Sequence, residues 1–163
     1  MSEITIRKAT IKDAEKLREL RLRLLKHYPD VYGTSYQAQV KHGLEETVKE
    51  IENYSRFGSA IFVAADKDKL VGMCRIEPTE DTEVAYAGRM GVLPEYLGKG
   101  VGKLLFDHRL TWAREYGYKK LTAIVRKKNT RAVAFLAKQG LKIISEGNYR
   151  GVPEWNLEMK IER

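Results

Sequence analysis

The chain has 163 residues, the size of one compact domain, and we predict a single domain over residues 1–163. Hydrophobic residues make up 43% and charged residues 32% of the sequence, as in ordinary globular proteins. No apolar run approaches the roughly 20 residues that span a bilayer, and the N-terminal segment lacks the order of a secretory signal. These features exclude a membrane span, and we expect a cytoplasmic protein.

The formal net charge of +8 raises the question of nucleic-acid binding. The basic excess falls largely after residue 98, but aromatic residues do not alternate with it and no nucleic-acid-binding motif appears. A phosphate-rich small ligand, together with a solvated basic face, explains the charge better.

Cysteine content and spacing exclude two kinds of site. Cys74 is the single cysteine, so it forms no intramolecular disulfide, and we expect a buried, inert thiol. No Cys/His spacing resembles a metal site, so we expect no metal.

The N-terminal half reads as a strand, two helices and three further strands. Thr10 to Asp13 resembles a helix capping box, after which leucines recur at helical spacing. The stretch 30–43 has no clean periodicity. The predicted strands span residues 4–7, 59–65, 70–76 and 83–92. One predicted helix follows Asp13 and ends before Pro29, and the other runs from Leu44 to about Asn53.

The C-terminal half alternates helices and strands. A helix from about Gly100 to Tyr116 carries an apolar stripe formed by Val101, Leu104, Leu105, His108 and Trp112. Asn129 caps a second helix that Gly140 closes. Strands are predicted at residues 121–125, 141–145 and 155–161. Antiparallel hairpins followed by a βαβ-like unit indicate an α/β protein with a mixed sheet.

A glycine-rich loop opens directly into the helix that begins near residue 100. Gly98, Gly100 and Gly102 leave room for an anion to approach the unpaired N–H groups of the first helical turn, and Lys99 and Lys103 add positive charge. The loop is one residue short of the dinucleotide-binding motif and also too short for a P-loop. It therefore predicts a pyrophosphate site of another kind.

Two segments resemble signatures of the GNAT superfamily of N-acetyltransferases. Val92-x-Pro94-Glu95-Tyr96-x-Gly98-Lys99-Gly100-Val101-Gly102 resembles the acetyl-CoA loop R/Q-x-x-G-x-G/A. Asn129-x-x-Ala132-Val133-x-Phe135-Leu136-x-x-x-Gly140-Leu141 resembles the second signature, N-x-x-A-x-x-x-Y-x-x-x-G-F. The resemblance implies a mixed, mostly antiparallel sheet of six to seven strands, flanked by about four helices and splayed between the fourth and fifth strands.

The resemblance also implies a co-substrate and its contacts. The amides from Gly98 through Val101 to Gly102, with Lys99 and Lys103, would hold the pyrophosphate of acetyl-CoA. Pantetheine would lie in the splay between the strand at Met90-Gly91-Val92 and the strand at residues 123–125, bonded to Val92 and Asn129. An amide near Val92 would polarise the thioester carbonyl. An amine acceptor would attack directly, without a metal or covalent intermediate.

Two positions depart from the family pattern. Leu97 stands where the family usually has Arg or Gln, which removes one phosphate contact. Leu136 stands where the family usually has the tyrosine that protonates the leaving thiolate, and Tyr149 or Tyr116 are the candidates to replace it. Glu83 is the predicted base, with Tyr86 beside it on the same strand; Glu77 and Asp81 are predicted in the preceding turn.

The acceptor is open at this point, and three readings are compared. The first is an N-acetyltransferase, the second an acyl-CoA-binding module with little catalysis, and the third a nucleic-acid-binding protein. Dimerisation is common in the resembled family, so a homodimer is possible. Residues proposed to contact the acceptor or the 3′-phosphate of CoA are Tyr28, Tyr32, Ser35 and Tyr36 for the acceptor and Arg126, Lys127 and Lys128 for the phosphate.

Overall fold

The computed structural model describes residues 3–29 and 35–162, which form seven strands and five helices. The strands are β1 (Ile4–Lys8), β2 (Ala60–Asp66), β3 (Lys69–Pro78), β4 (Val84–Val92), β5 (Lys120–Arg126), β6 (Lys142–Tyr149) and β7 (Val152–Lys160). The helices are α1 (Ala14–His27), α2 (Tyr36–Val40), α3 (Leu44–Asn53), α4 (Val101–Tyr116) and α5 (Thr130–Gln139).

The start of α1 is fixed by the predicted capping box together with an ion pair to Arg7 that the sequence did not indicate. A short 3-10 turn, Ile11–Asp13, precedes α1, and the Thr10 N–H donates to the Asp13 carboxylate at 2.8 Å. Both Asp13 oxygens also accept from the Arg7 guanidinium, at 2.7 and 2.8 Å, and Asp13 is only 6% exposed. The Arg7 hydrogen bonds hold the pKa of Asp13 below its usual range.

Replacing Asp13 by asparagine should reduce the free energy of unfolding at pH 7 by about 2 kcal/mol, because a charge-assisted pair on a buried group is lost. A lowered folded-state pKa stabilises the protein above the unfolded pKa of about 4 and ceases to do so as pH falls through the folded value. The difference between wild type and Asp13→Asn should therefore be smaller at pH 3 than at pH 7. Urea unfolding at both pH values checks this.

The control is Asp107→Asn, which removes an exposed ion pair with Lys103. We expect less than about 0.5 kcal/mol there. An equally small effect for Asp13→Asn would contradict the role assigned to the network.

One seven-stranded sheet has the order β1-β2-β3-β4-β5-β7-β6. Neighbouring strands are antiparallel except β4 and β5, which are parallel and pair from Val84 opposite Lys120 to Tyr86 opposite Thr122. Beyond Tyr86 the two strands separate, and residues 87–92 and 123–126 border a gap. The predicted sheet and its splay are confirmed.

Helices cover both faces of the sheet. Cys74 on β3 is fully buried and its Sγ lies 3.9 Å from the Leu105 carbonyl oxygen of α4. The next residue, Arg75, points to the other face and contacts Glu50 of α3, as alternation along a strand requires. Among the described helices, none combines the length and the apolar character needed to cross a membrane.

The structure differs from the sequence prediction in three elements. The short helix α2 lies in the stretch without periodicity, where the Ser35 hydroxyl accepts from the Ala38 N–H. Strand β6 extends to Tyr149 because it pairs with β7 over that length. On α4 the buried face differs from the predicted apolar stripe, since Arg109 is only 2% exposed whereas Leu104, a predicted member of the stripe, is 44% exposed.

Candidate active site

The gap between β4 and β5 widens into a cleft of about 650 Å³. Its walls come from the C-terminal half of β4, from β5, and from the first turns of α4 and α5. Among the described residues that line it are Tyr28, Arg75, Tyr86, Arg89, Met90, Gly91, Val92, Gly102, Asn129, Leu136, Tyr149 and Glu154. The cleft thus brings the two signature segments together at one place.

A β-bulge shapes the wall that β4 contributes. Met73 of β3 lies opposite Gly91 and Arg75 lies opposite Gly88, so Arg89 and Met90 face a single residue of β3. Arg89 has a backbone φ of +28°, a left-handed conformation that residues other than glycine rarely adopt. Bulges of this kind re-aim side chains beside active sites, and strain of this kind concentrates there.

The backbone of Val92 faces the gap. Leu93 donates its N–H to the Val71 carbonyl at 2.9 Å, so alternation turns the N–H and C=O of Val92 away from β3. The Tyr28 hydroxyl lies 3.4 Å from the Val92 carbonyl oxygen and can donate to it. The Val92 N–H is therefore aimed where an incoming amide or thioester carbonyl could accept from it.

The glycine loop adjoins the cleft and fits a phosphate. Gly98 and Gly100 have φ of +75° and +81°, and a Cβ on either one would meet no atom within 4 Å. Gly100 is the N-cap of α4, so the first N–H groups of the helix point out of its end. Open space beside unpaired N–H groups is the arrangement that binds anions at helix N-termini.

Of the residues predicted to hold the pyrophosphate, Gly102 lines the cleft. Outside the lining, Gly98, Lys99 and Gly100 lie in the adjoining loop, and Val101 and Lys103 lie in the first turn of α4. The Lys99 ammonium sits 5.3 Å from the centre of the Tyr96 ring, and Lys103 pairs with Asp107 at 3.0 Å. Lys99 lies in the loop that a pyrophosphate would approach, and Lys103 lies in the first turn of the helix that follows it.

Asn129 caps α5, as predicted. Its Oδ1 accepts from the Ala132 N–H at 3.2 Å, and the residue lines the cleft. Because Oδ1 is engaged, the Nδ2 group is the part available to donate to a ligand carbonyl. About two turns later, Leu136 is 7% exposed and presents an apolar side chain to the same cleft.

One half of the cleft, lined by Arg75, Tyr86, Tyr149 and Glu154, is polar. Tyr86 of β4 lies opposite Glu77 of β3, and the ring of Tyr86 packs over Gly88, 3.2 Å from the position of a Cβ there. Glu154 of β7 lies opposite Arg126 of β5 and lines the cleft. Glu154 is the one acidic side chain among the described lining residues, which makes it the structure's candidate for a base.

The phenols near this half of the cleft are held in the neutral form. Burial raises the pKa of Tyr86, and the nearby Glu77 raises it further. Burial raises the pKa of Tyr54 to about 12, and Tyr54 donates to Glu77 at 2.8 Å. Burial also raises the pKa of Tyr28. At neutral pH these groups can donate protons or hydrogen bonds but do not act as bases.

Arg109 supports the bulge from below. Its Nη1 donates to the carbonyl of Arg75 at 3.0 Å and to that of Gly88 at 3.2 Å. Burial lowers the pKa of Arg109. The sequence stripe missed Arg109 because the carbonyl groups of Arg75 and Gly88, which only the tertiary structure brings beside it, accept hydrogen bonds from its Nη1.

The other predicted catalytic residues fall in different places. Tyr149 lines the cleft and is 43% exposed. Glu83 lies just before β4, at the paired end of the β4–β5 junction, where it forms an ion pair with Lys119 at 2.8 Å outside the cleft lining. Tyr116 stacks on Trp112 at the end of α4, also outside the lining. Tyr32 lies outside the described residues.

The basic run after β5 is engaged with β6 and β7. Lys127 pairs with Glu146 at 2.5 Å and lies 4.0 Å from the centre of the Trp155 ring. Arg126 lines the cleft. No group of three or more His, Cys, Asp or Glu side chains in residues 3–29 and 35–162 could hold a metal ion.

Sequence reasoning missed Glu154, Arg75 and Arg89 as site residues. Arg75 and Arg89 belong to strands whose patterns indicate pairing, and nothing local marks a bulge. Glu154 lies on a strand 28 residues after Arg126, its partner across the sheet. Each arginine is a basic residue within an otherwise apolar strand, and this is the sequence signal that could have marked both as candidate site residues.

Comparisons with known proteins agree with this geometry. A sequence model of the Acetyltransferase (GNAT) family matches residues 23–141. The chain is 29% identical over 140 residues to the peptidyl-lysine N-acetyltransferase YjaB of Salmonella typhimurium, covering 86% of this chain and 84% of that protein.

Solved structures show the same fold. An acetyltransferase of the GNAT family from Streptococcus pneumoniae superposes with a TM-score of 0.86 at 20% identity, covering 98% of this chain and all of that one. The structure of YncA from Salmonella typhimurium, with its cofactor acetyl-CoA, superposes with a TM-score of 0.83 at 16% identity, covering 99% and 96% of the two chains. The family match spans well over half of the sequence, and the chain therefore belongs to the GNAT family of acetyltransferases, which use acetyl-CoA.

Proposed function

We propose that this acetyltransferase moves the acetyl group of acetyl-CoA to a primary amine that enters the polar half of the cleft. The observation that carries the proposal is the splay of β4 from β5. It opens one continuous cleft that has helix N-termini and the Val92 backbone on one side and Tyr86, Tyr149 and Glu154 on the other.

The proposed reaction is a single displacement. The pyrophosphate binds at the amides of Gly98 to Gly102 beside Lys99 and Lys103, and pantetheine lies along Met90, Gly91 and Val92 with Asn129 donating to it. The amine nitrogen forms a bond to the acetyl carbon while the Val92 N–H stabilises the carbonyl oxygen. Glu154 takes the proton from the amine, directly or through water. The carbon–sulfur bond then breaks, and the CoA thiolate takes a proton.

We propose Tyr149 as the donor of that last proton. A thiolate is a tolerable leaving group without an acid, so Tyr149→Phe should lower kcat by about tenfold, at the low end of general acid catalysis. Steady-state release of CoA at saturating acetyl-CoA measures this. Tyr116→Phe is the matched control because that phenol is outside the cleft, and it should leave kcat unchanged. Equal kcat for wild type and Tyr149→Phe would refute the assignment.

The similar protein YjaB suggests which class of acceptor to assay first. Because the 29% identical relative is named a peptidyl-lysine N-acetyltransferase, lysine side chains of proteins are the first amines to assay, followed by free amines. The test is transfer of labelled acetyl from acetyl-CoA to each amine, detected by mass spectrometry. Tight binding of CoA with no transfer across the whole panel would overturn the proposed function.

A second candidate is an acyl-CoA-binding module with little catalysis. Leu136 favours it, because an apolar side chain lines the cleft where the family signature has a tyrosine. Turnover with any amine well above the rate of acetyl-CoA hydrolysis refutes this candidate. Leu136→Tyr offers a second measurement: a large rise in kcat would show that the wild-type chain lacks an acid.

Domain organisation, location and assembly are also proposals. We propose one acetyltransferase domain over residues 1–163, supported by a single sheet that runs from β1 to β7. We propose a cytoplasmic location and no main role in nucleic-acid binding. A homodimer rests on family resemblance, and light scattering of the purified chain tests it.

A further inference from the structure

The charged residues that line the cleft are unevenly distributed. Among the described lining residues five are arginine, whereas Glu154 is the one carboxylate. Two of the arginines, Arg126 and Arg131, lie on the side of β5 and α5. The other three are on the acceptor side or beneath it: Arg75, Arg89 and Arg109.

These three arginines differ in how they are compensated. Arg109 donates to two carbonyl groups. Arg75 lies 3.4 Å from the Glu50 carboxylate, but the same carboxylate also pairs with the Arg21 guanidinium. For the Arg89 guanidinium, residues 3–29 and 35–162 provide neither a hydrogen bond nor an ion pair. One carboxylate therefore serves two arginines while a third stands beside them without a direct partner.

The position of Arg89 is also strained. Its φ of +28° places it in the left-handed region, within the β-bulge that faces the cleft. An arginine is a poor residue for this conformation, which glycine would adopt freely. Burial, together with the charges of Arg75 and Arg21, lowers the pKa of the Arg89 guanidinium. Strain and charge repulsion both oppose an arginine here unless a ligand uses it.

Charges elsewhere around this site do not remove the excess. Glu77 accepts from Tyr54, and Glu154 stands across the cleft on β7 near Tyr86. On the face of the sheet that α1 and α3 cover, Arg21 and Arg75 share the carboxylate of Glu50, and no carboxylate in residues 3–29 and 35–162 pairs directly with the Arg89 guanidinium. An anionic group of a ligand would supply that partner.

We propose that Arg89, backed by Arg75, binds a carboxylate that the acceptor carries close to its reacting amine. This inference rests on the proposed function and names the acceptor class for the same site. Arg89 is three residues before Val92 on β4, so their Cα atoms lie within about 10 Å at a strand rise of about 3.3 Å per residue. That span fits a free amino acid, or a lysine with an acidic neighbour in a protein. A polyamine lacks the required anion, and the net charge of +8 opposes it as well.

The test compares acceptors that differ only in the carboxylate. The first comparison is between free amino acids and the same amino acids with a carboxamide in place of the carboxylate. The second is between two peptides that differ only in having Glu or Gln beside the lysine. Each pair is assayed for kcat/KM at saturating acetyl-CoA and at equal concentrations of unprotonated amine. We expect about a tenfold preference for the carboxylate in one pair, since a charge-assisted hydrogen bond is lost in the other member. The pair that shows it identifies the source.

Three variants connect the preference to Arg89. Arg89→Gln should abolish it, Arg89→Lys should retain part of it, and Lys138→Gln on the exposed face of α5 should leave it intact. Equal use of both members of each pair by the wild type overturns the inference, as does an unchanged preference in Arg89→Gln. Circular dichroism checks that each variant is folded.

The failure of the inference can be distinguished from failure of the proposed function. Turnover of amines without any carboxylate preference refutes this inference alone. If no amine is acetylated, the proposed function fails. The carboxylate preference is then measured separately, by calorimetric binding of the same pairs of compounds to the CoA-bound protein. Carboxylate-selective binding that requires Arg89 then supports it, and non-selective or absent binding refutes it.

Discussion

Replacing Glu154 by glutamine should lower kcat/KM for the amine by about 10²–10⁴-fold at pH 7, the range expected when a positioned base is lost. A primary amine with a pKa near 10 is almost entirely protonated at pH 7, so a group must remove a proton before attack. Glu154 is the one carboxylate among the described cleft residues, and glutamine preserves its shape without its basicity.

The pH dependence separates a base from a merely structural residue. As pH rises towards 10, more of the amine is unprotonated in solution, and the need for Glu154 declines. The ratio of wild-type to Glu154→Gln activity should therefore shrink steadily with rising pH. A structural defect would instead lower activity by a similar factor at all pH values.

The matched control is Glu158→Gln on the same strand. Glu158 lies four residues along β7 on the same face, pairs with Lys120 at 3.3 Å, and is outside the cleft lining. It should retain nearly full activity. Glu83→Gln completes the set, because Glu83 is the base that the sequence predicts. A large loss in Glu83→Gln with full activity in Glu154→Gln would return the role to Glu83.

The second large effect should come from the glycine loop. Gly100→Ala is expected to weaken binding of CoA by about 100-fold, because the added Cβ enters the open space beside the helix N-terminus and disturbs phosphate hydrogen bonds worth about 1.5–3 kcal/mol each. Isothermal titration with CoA measures the change.

A matched variant exists at the other end of the same helix. Gly117 has φ of +112°, and a Cβ there would also meet no atom within 4 Å. Both substitutions impose a left-handed alanine and should destabilise the fold by about 1 kcal/mol. Only Gly100→Ala should weaken CoA binding. Equal CoA affinity in the two variants would show that the loop is not the pyrophosphate site.

Titration with CoA that lacks the 3′-phosphate extends this experiment to the basic run. Arg126 lines the cleft, whereas Lys127 is engaged with Glu146 and Trp155. If the basic run of residues 126–128 contacts the 3′-phosphate, CoA without this phosphate should bind more weakly than CoA to both wild type and Gly117→Ala.

The sequence by itself determined the features that depend on short-range interactions. The network of Thr10 and Asp13 joins residues three apart, and Asn129 caps α5 through the N–H of Ala132. The positive φ values of Gly98 and Gly100 need only the absence of a Cβ. Such signals act within one turn of chain, so they are visible without knowing what packs where.

The tertiary structure alone decided which side chains share the cleft. Glu154 reaches it because β7 pairs with β5, and Glu83 does not because β4 carries it to the paired end of the strands. The buried face of α4 is shifted by one residue from the predicted one, so that Arg109 is buried and His108 is not. The Arg109 guanidinium donates to two backbone carbonyl groups beside the bulge in β4. Strand register and bulges arise from contacts between distant segments, and no local pattern records them.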